Sequence, residues 1–195
     1  MVGGGLAKDA WGAGVMGGYS YRGVFDVGAD FTRYAYTAGT NKNLAGYSLT
    51  PVATWHALRH DVDELPVSIS VTLGVQRIVY AGNGPVANPE GWGVFVGPSV
   101  YRRMEFGSSL VFVPELLAAY DFKYTRYYSQ ALDQTSSNTR DNGLGIGYTT
   151  EPKHNVRVLF RPNILYKMGN TNYVVVPYVG YQSAFVAGGN IGAIF

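Results

Sequence analysis

Between Val156 and Met168 the chain reads VRVLFRPNILYKM, and its positions alternate. Val156, Val158, Phe160, Pro162, Ile164 and Tyr166 share one phase; Arg157, Leu159, Arg161, Asn163, Leu165 and Lys167 share the other. Successive side chains of a strand point to opposite faces, so this segment has one apolar face and one cationic, polar face. The same phase recurs. In VSISVTLGVQ, Val67, Ile69, Val71, Leu73 and Val75 oppose Ser68, Ser70, Thr72, Gly74 and Gln76. In VFDVGADFT, Phe25, Val27, Ala29 and Phe31 oppose Asp26, Gly28, Asp30 and Thr32. No stretch carries a convincing helical period.

The alternation predicts about ten strands, roughly at 10–21, 24–36, 46–58, 67–80, 92–104, 107–125, 142–150, 155–168, 172–182 and 185–195. Turn signals separate them: RG at 22–23, TAGTNKN at 37–43, AGNGPVANPEG at 81–91, DQTSSNTRDN at 133–142, EPKHN at 151–155 and GNTN at 169–172. The fold class is all-β, an antiparallel up-and-down barrel of about 8–10 strands. It forms a single domain over 1–195, with 1–9 expected to be a disordered or appended tail. Alternating segments of roughly ten residues between turns are the pattern of a transmembrane barrel. A soluble lipocalin-like barrel or a sandwich alternates too.

Aromatic spacing favours lipid. Trp11 and Tyr19, Tyr47 and Trp55, and Tyr173 and Tyr181 lie eight residues apart on the apolar face. That is about 26 Å along a strand, or about 20 Å once it is tilted by ~40°. An outer-membrane barrel has an apolar band about 25 Å tall between aromatic girdles, so these six residues are candidates for the girdles. The polar face carries both signs of charge: Asp26, Asp30, Arg103, Glu115, Asp121, Lys123, Arg157, Arg161 and Lys167, with His56 among them. A narrow lumen holds such groups as a paired network, together with inward Tyr101 and Tyr178 and many small residues. Arg33, Arg77 and Arg102 are the charges on the apolar face, near strand ends where long side chains snorkel.

Composition narrows the classes further. Only 14% of residues are charged, against roughly 25% in an ordinary soluble domain. The net charge of +2 gives no case for nucleic acid. With no cysteine, disulfide scaffolds and Cys-based metal sites are excluded. No apolar run approaches the ~18 residues of a membrane-spanning helix. The opening MVGGGLAKDA lacks the apolar core of a signal peptide, so an exported protein would be a chain whose signal has been removed.

The chain ends NIGAIF, with Ile191, Ala193 and Phe195 on the apolar face. This resembles the C-terminal strand of Gram-negative outer-membrane β-barrels, whose terminal aromatic is read by the barrel assembly machinery. Segments such as VGPSVYRRMEFGSSLVFVPELLAAYDF are similar to hairpins of the small porin-like barrels. The resemblance implies export, insertion into the outer membrane beside lipid and lipopolysaccharide, and recognition by that machinery through Ile191 to Phe195.

Two features sit awkwardly. Pro51, Pro98, Pro114, Pro162 and Pro177 lie inside expected strands, where proline cannot donate to a ladder. Lost ladder bonds or bulges at opposed prolines would accommodate them. The long connections 37–45, 81–91 and 126–141 also fall on the side of the chain ends, where outer-membrane barrels keep short turns.

Catalytic, cofactor and metal sites are not expected. His60 with Asp61 or Asp63 and a nearby serine could form a hydrolase triad at a barrel rim, but a polar turn is the simpler reading. His154 falls in the turn EPKHN. Glu115 and Asp121 stand about 20 Å apart along their strand, too far for paired acid and base. The leading expectation is an integral outer-membrane barrel with a mostly filled polar lumen. It would be a structural, anchor or adhesion protein meeting partners at loops 37–45, 81–91 and 126–141. The alternatives are a narrow pore or small-solute channel, an outer-membrane lipid hydrolase, and a soluble lipocalin-like binder.

Overall fold

The computed structural model describes residues 1–7, 10–37, 45–81, 87–129, 139–141, 147–182 and 185–194. At 80–81, 87–90, 123–129, 139–141, 147–153 and 182 only the backbone is described. The strands are β1 (Val2–Ala7), β2 (Ala10–Tyr21), β3 (Phe25–Tyr36), β4 (Ala45–Leu58), β5 (Ser68–Ala81), β6 (Ala87–Tyr101), β7 (Met104–Phe106), β8 (Leu110–Ser129), β9 (Thr139–Asp141), β10 (Gly147–Met168), β11 (Thr171–Gln182) and β12 (Phe185–Ile194). Ten of them close a ring in which every pairing is antiparallel: β1 to β6 in order, then β8, β10, β11 and β12, with β12 returning to β1. The short β7 and β9 extend two connections alongside β8 and β10. The fold is a closed up-and-down β-barrel.

Two sequence expectations are corrected. Residues 2–7 are not a tail: Val2–Ala7 pairs with β2 on one side and with Ile191–Val186 on the other, and so closes the ring. Its three consecutive glycines carry no side-chain signal, so alternation could not find it. The expected strands 142–150 and 155–168 are instead parts of one strand, β10, which passes through EPKHN paired with β8. One strand missed and one split left the count of ten unchanged.

With β1 restored, β1 begins and β12 ends at the same rim as the connections 22–24, 59–67, 107–109 and 169–170. The connections 37–44, 82–86 and 130–146 leave from the opposite rim. We call these the near rim and the far rim. The topological conflict noted above came from the missing strand.

The near-rim turns are built from the residues their geometry needs. Arg22 and Gly23 both have positive φ, and Val24 N–H closes onto Tyr21 O at 3.0 Å, as in a hairpin turn of the mirror-image kind. Gly169, with φ of 62°, opens the two-residue turn between Met168 and Thr171.

The prolines occupy gaps in ladders. Pairing of β4 with β5 lapses between Leu49↔Arg77 and Val52↔Gly74, beside Pro51. Pairing of β6 with β8 lapses beside Pro98, and that of β10 with β11 beside Pro162 and Pro177. Register continues unchanged across each gap, so these are missing bonds and not bulges. Pro114 faces Pro162 across β8 and β10, and does not face Pro98.

The inward phase is mostly polar or small, with Ile78, Leu117 and Val174 as buried apolar members, and the outward phase is apolar. Val15, Val27, Phe31, Leu49, Leu73, Val94, Leu116, Phe160, Val175 and Ile191, on nine strands of the ring, are all exposed on the outer wall. Asp121, Ser68, Ser70 and Ser99 are the most completely buried side chains.

Candidate functional site: the polar lumen

Charges inside the barrel meet across strands. On the wall made by β8 and β10, Arg157 reaches diagonally to Asp121, with Nε donating to Oδ2 at 3.1 Å and Nη2 to Oδ1 at 3.0 Å. The Asp121 side chain is 2% exposed, so protein partners, this forked pair among them, compensate its charge in place of water. The Arg157 guanidinium also lies 4.8 Å from the centre of the Phe95 ring. Directly opposite one another in register, Arg161 donates to Glu115 at 2.6 Å, and Asn163 adds a longer bond at 3.4 Å.

A second group gathers toward the near rim. His56 Nε2 lies 2.8 Å from Asp26 Oδ2, and its Nδ1 lies 2.8 Å from the Tyr101 hydroxyl. A neutral ring protonated at Nε2 donates to the carboxylate and accepts from the phenol. This chain joins β3, β4 and β6, with β5 lying between the last two. Beneath it, Thr54 and Thr72 share a hydrogen bond at 3.0 Å, and Ser70 and Ser99 share one at 2.8 Å.

The wall of β12, β1 and β2 is built mostly from glycine and alanine, and large side chains from neighbouring strands lean over it. A Cβ on Gly5 would stand 2.0 Å from the Tyr178 hydroxyl, and one on Gly188 would stand 2.4 Å from it. Tyr178 therefore lies across two strands, donating to Gly4 O at 3.3 Å. Phe95 covers Gly74 and Tyr34 covers Gly46 in the same way, a known means of stiffening glycine-bearing sheets. Between this wall and Asp30, Thr32, Tyr34, Tyr36 and Asn190 lies a cavity of about 370 Å³.

Not all the expected lumen residues are here. Asp26, Asp30, His56, Glu115, Asp121, Arg157 and Arg161 are inside. Arg103 is not: it pairs with Glu105 at 2.9 Å, both well exposed. β6 ends at Tyr101, so strand phase no longer governs residue 103. Lys167 is exposed beside the Gly169 turn, where the lumen opens at the near rim. The Lys123 side chain lies outside the described residues. No pattern in the sequence marks His56 and Tyr101 as partners, because they meet diagonally across β5, where His56 pairs with Ser70 and Tyr101 with Ser68.

On the outer wall, Trp11, Tyr47 and Tyr181 are exposed toward the far rim, and Tyr19, Trp55 and Tyr173 toward the near rim. Trp92 joins the first set and Tyr166 the second; Tyr166 stands directly opposite Tyr173. Aliphatic residues fill the band between. Arg33 stacks over Tyr47 and Arg77 over Trp92, also toward the far rim. Ile191 is exposed and faces Val2, Ala193 faces Tyr173, and Phe195 lies outside the described residues.

No family matches the chain, and no curated protein does.

The hydrolase geometry is incomplete. Ser68 Oγ accepts the His60 backbone N–H at 3.0 Å and lies 2.9 Å from His60 Nδ1. Asp61 and Asp63 both turn to Arg59 instead, so neither orients the imidazole. With Ser68 only 1% exposed, the pair fastens the 59–67 connection to the start of β5. His154 is not in a turn: it stands exposed on the outer face of β10, bonded to the Tyr120 hydroxyl. The partner loops expected at 37–45, 81–91 and 126–141 lie in large part outside the described residues, at 38–44, 82–86 and 130–138.

Proposed function

We propose that this protein is an integral outer-membrane β-barrel whose lumen is largely filled, acting as an anchor or interaction protein through its far-rim loops. One observation carries the reading: exposed large apolar side chains encircle the barrel between two aromatic sets, while most of its interior charges pair across strands. Soluble monomers rarely expose contiguous apolar patches beyond a few hundred Å², and a belt around the whole barrel exceeds that. The even strand number, and a near rim with mostly short connections, fit the usual plan of such barrels. A lipocalin-like binder would need its apolar face inside, opposite to the observed phase.

In the lumen, Asp121–Arg157, Glu115–Arg161 and Asp26–His56–Tyr101 occupy space that a wide pore would leave to water. Ten strands enclose little more than the side chains themselves. A narrow channel is the second reading, and the cavity of about 370 Å³ favours it.

Refolding into phospholipid vesicles tests both. The expected result is an unboiled band of altered gel mobility, resistant to protease, that forms only with lipid or detergent, together with negligible conductance across planar bilayers. A monodisperse protein in plain buffer would refute membrane insertion. Steady, reproducible conductance would favour the channel.

A further inference from the structure

We propose that the lumen cavity is a binding site for a small organic ammonium ion, with Asp30 as its counter-charge. The interior carboxylates are unequal. Asp26 has His56, Glu115 has Arg161 and Asp121 has Arg157. Asp30 has only the Thr32 hydroxyl, donating at 2.6 Å, and no basic group among the described residues pairs with it. It lines the cavity of about 370 Å³, within the usual range for small-ligand sites. A negative charge in a narrow, protein-walled space concentrates cations there.

The other walls indicate which cation. Tyr34 and Tyr36 stand in sequence on the inner face of β3, their rings edge to face at 6.2 Å, and Tyr178 closes the opposite side. Among the described residues no three of His, Cys, Asp and Glu gather to hold a metal ion, and hard divalent cations want several oxygen ligands. One carboxylate among aromatic rings suits a diffuse alkylammonium, which the ring faces attract as well. Glycines keep the space open. A Cβ on Gly12 would come no nearer than 3.4 Å to any neighbour, so an alanine there takes up cavity volume without shifting the wall.

The site needs only the closed barrel and would exist in lipid, detergent or water, so its failure is separate from failure of the membrane reading. The test is calorimetric titration of the folded protein with choline and with neohexanol, in which carbon replaces the quaternary nitrogen. Gel mobility of unboiled samples confirms folding of each variant. Saturable choline binding is expected, weakened at least about tenfold in Asp30→Asn and several-fold in Gly12→Ala, with neohexanol binding far more weakly. Absent choline binding, equal binding of neohexanol, or undiminished binding in either folded variant would overturn the proposal. If Asp30→Asn does not fold, the comparison of choline with neohexanol and the Gly12→Ala variant still decide.

Discussion

A single buried charge shows what the interior demands of each residue. Asp121 is sealed among β6, β8 and β10, and Arg157 supplies two of its hydrogen bonds. Replacing Arg157 with methionine keeps bulk but takes the forked cation and its two hydrogen bonds from the carboxylate, and removing one partner of a buried pair typically costs about 3–5 kcal/mol. Urea unfolding of the folded barrel, followed by Trp fluorescence, should show that loss, and the double change to Asp121→Asn with Arg157→Met should recover part of it. At the near rim the balance is gentler. The Arg59 side chain donates to Asp61 and holds its carboxyl below the usual carboxylate range. A lowered carboxyl contributes to stability above its ordinary pKa and loses that contribution as pH falls through the lowered one. Carbon-detected NMR titration should therefore place the Asp61 midpoint below that of a free aspartate, and Arg59→Gln should raise it. The in-or-out phase of these residues was legible from alternation alone. Their partners were not, because Arg157 reaches Asp121 diagonally and His56 reaches Tyr101 across a whole strand, and register is not written in either segment.

Strands were readable where large and small side chains alternate, and unreadable where glycine removes the contrast. β10 was split at EPKHN because Pro152 and Asn155 look like turn residues, yet twenty successive pairs with β8 carry the strand through. β1 vanished into VGGGLA because its stabilising side chain belongs to β11. Tyr178 lies over Gly5 and Gly188, so the seam is a joint between strands rather than a property of β1. Gly5→Ala should hinder closure and reduce the folded, mobility-shifted fraction. Pairing it with Tyr178→Leu, which removes the obstructing hydroxyl, should restore part of that fraction. A cycle of the four proteins by gel densitometry should give a non-additive coupling between these contacting sites.

For the whole molecule, a chain of hairpins fixes which connections share an end. On the outer-membrane reading, the far rim with 37–44, 82–86 and 130–146 faces out, and the near rim faces in. A peptide tag inserted at 134 should be stained by antibody on intact cells, and one inserted at 170 should be stained only after permeabilisation. The reverse pattern would invert the orientation. Alternation revealed the barrel and its inside-out polarity; orientation emerged only with the strand that closes it.

Closure by β1 and β12 also sets how the molecule would yield to force. Every other ring pairing joins neighbours along the chain, whereas this one joins Val2–Ala7 to residues 186–191. Both strands enter the seam from the near rim, so tension applied between Met1 and Ile194 loads Val2↔Ile191 first and passes inward one pair at a time to Ala7↔Val186. That is peeling and not shear, since the bonds fail in sequence and never share the load. Optical-tweezer traces with handles at those two positions should show an early, low-force opening of the seam before the hairpins give way. Handles at Ala7 and Ile194, which load the seam along its length, should require markedly more.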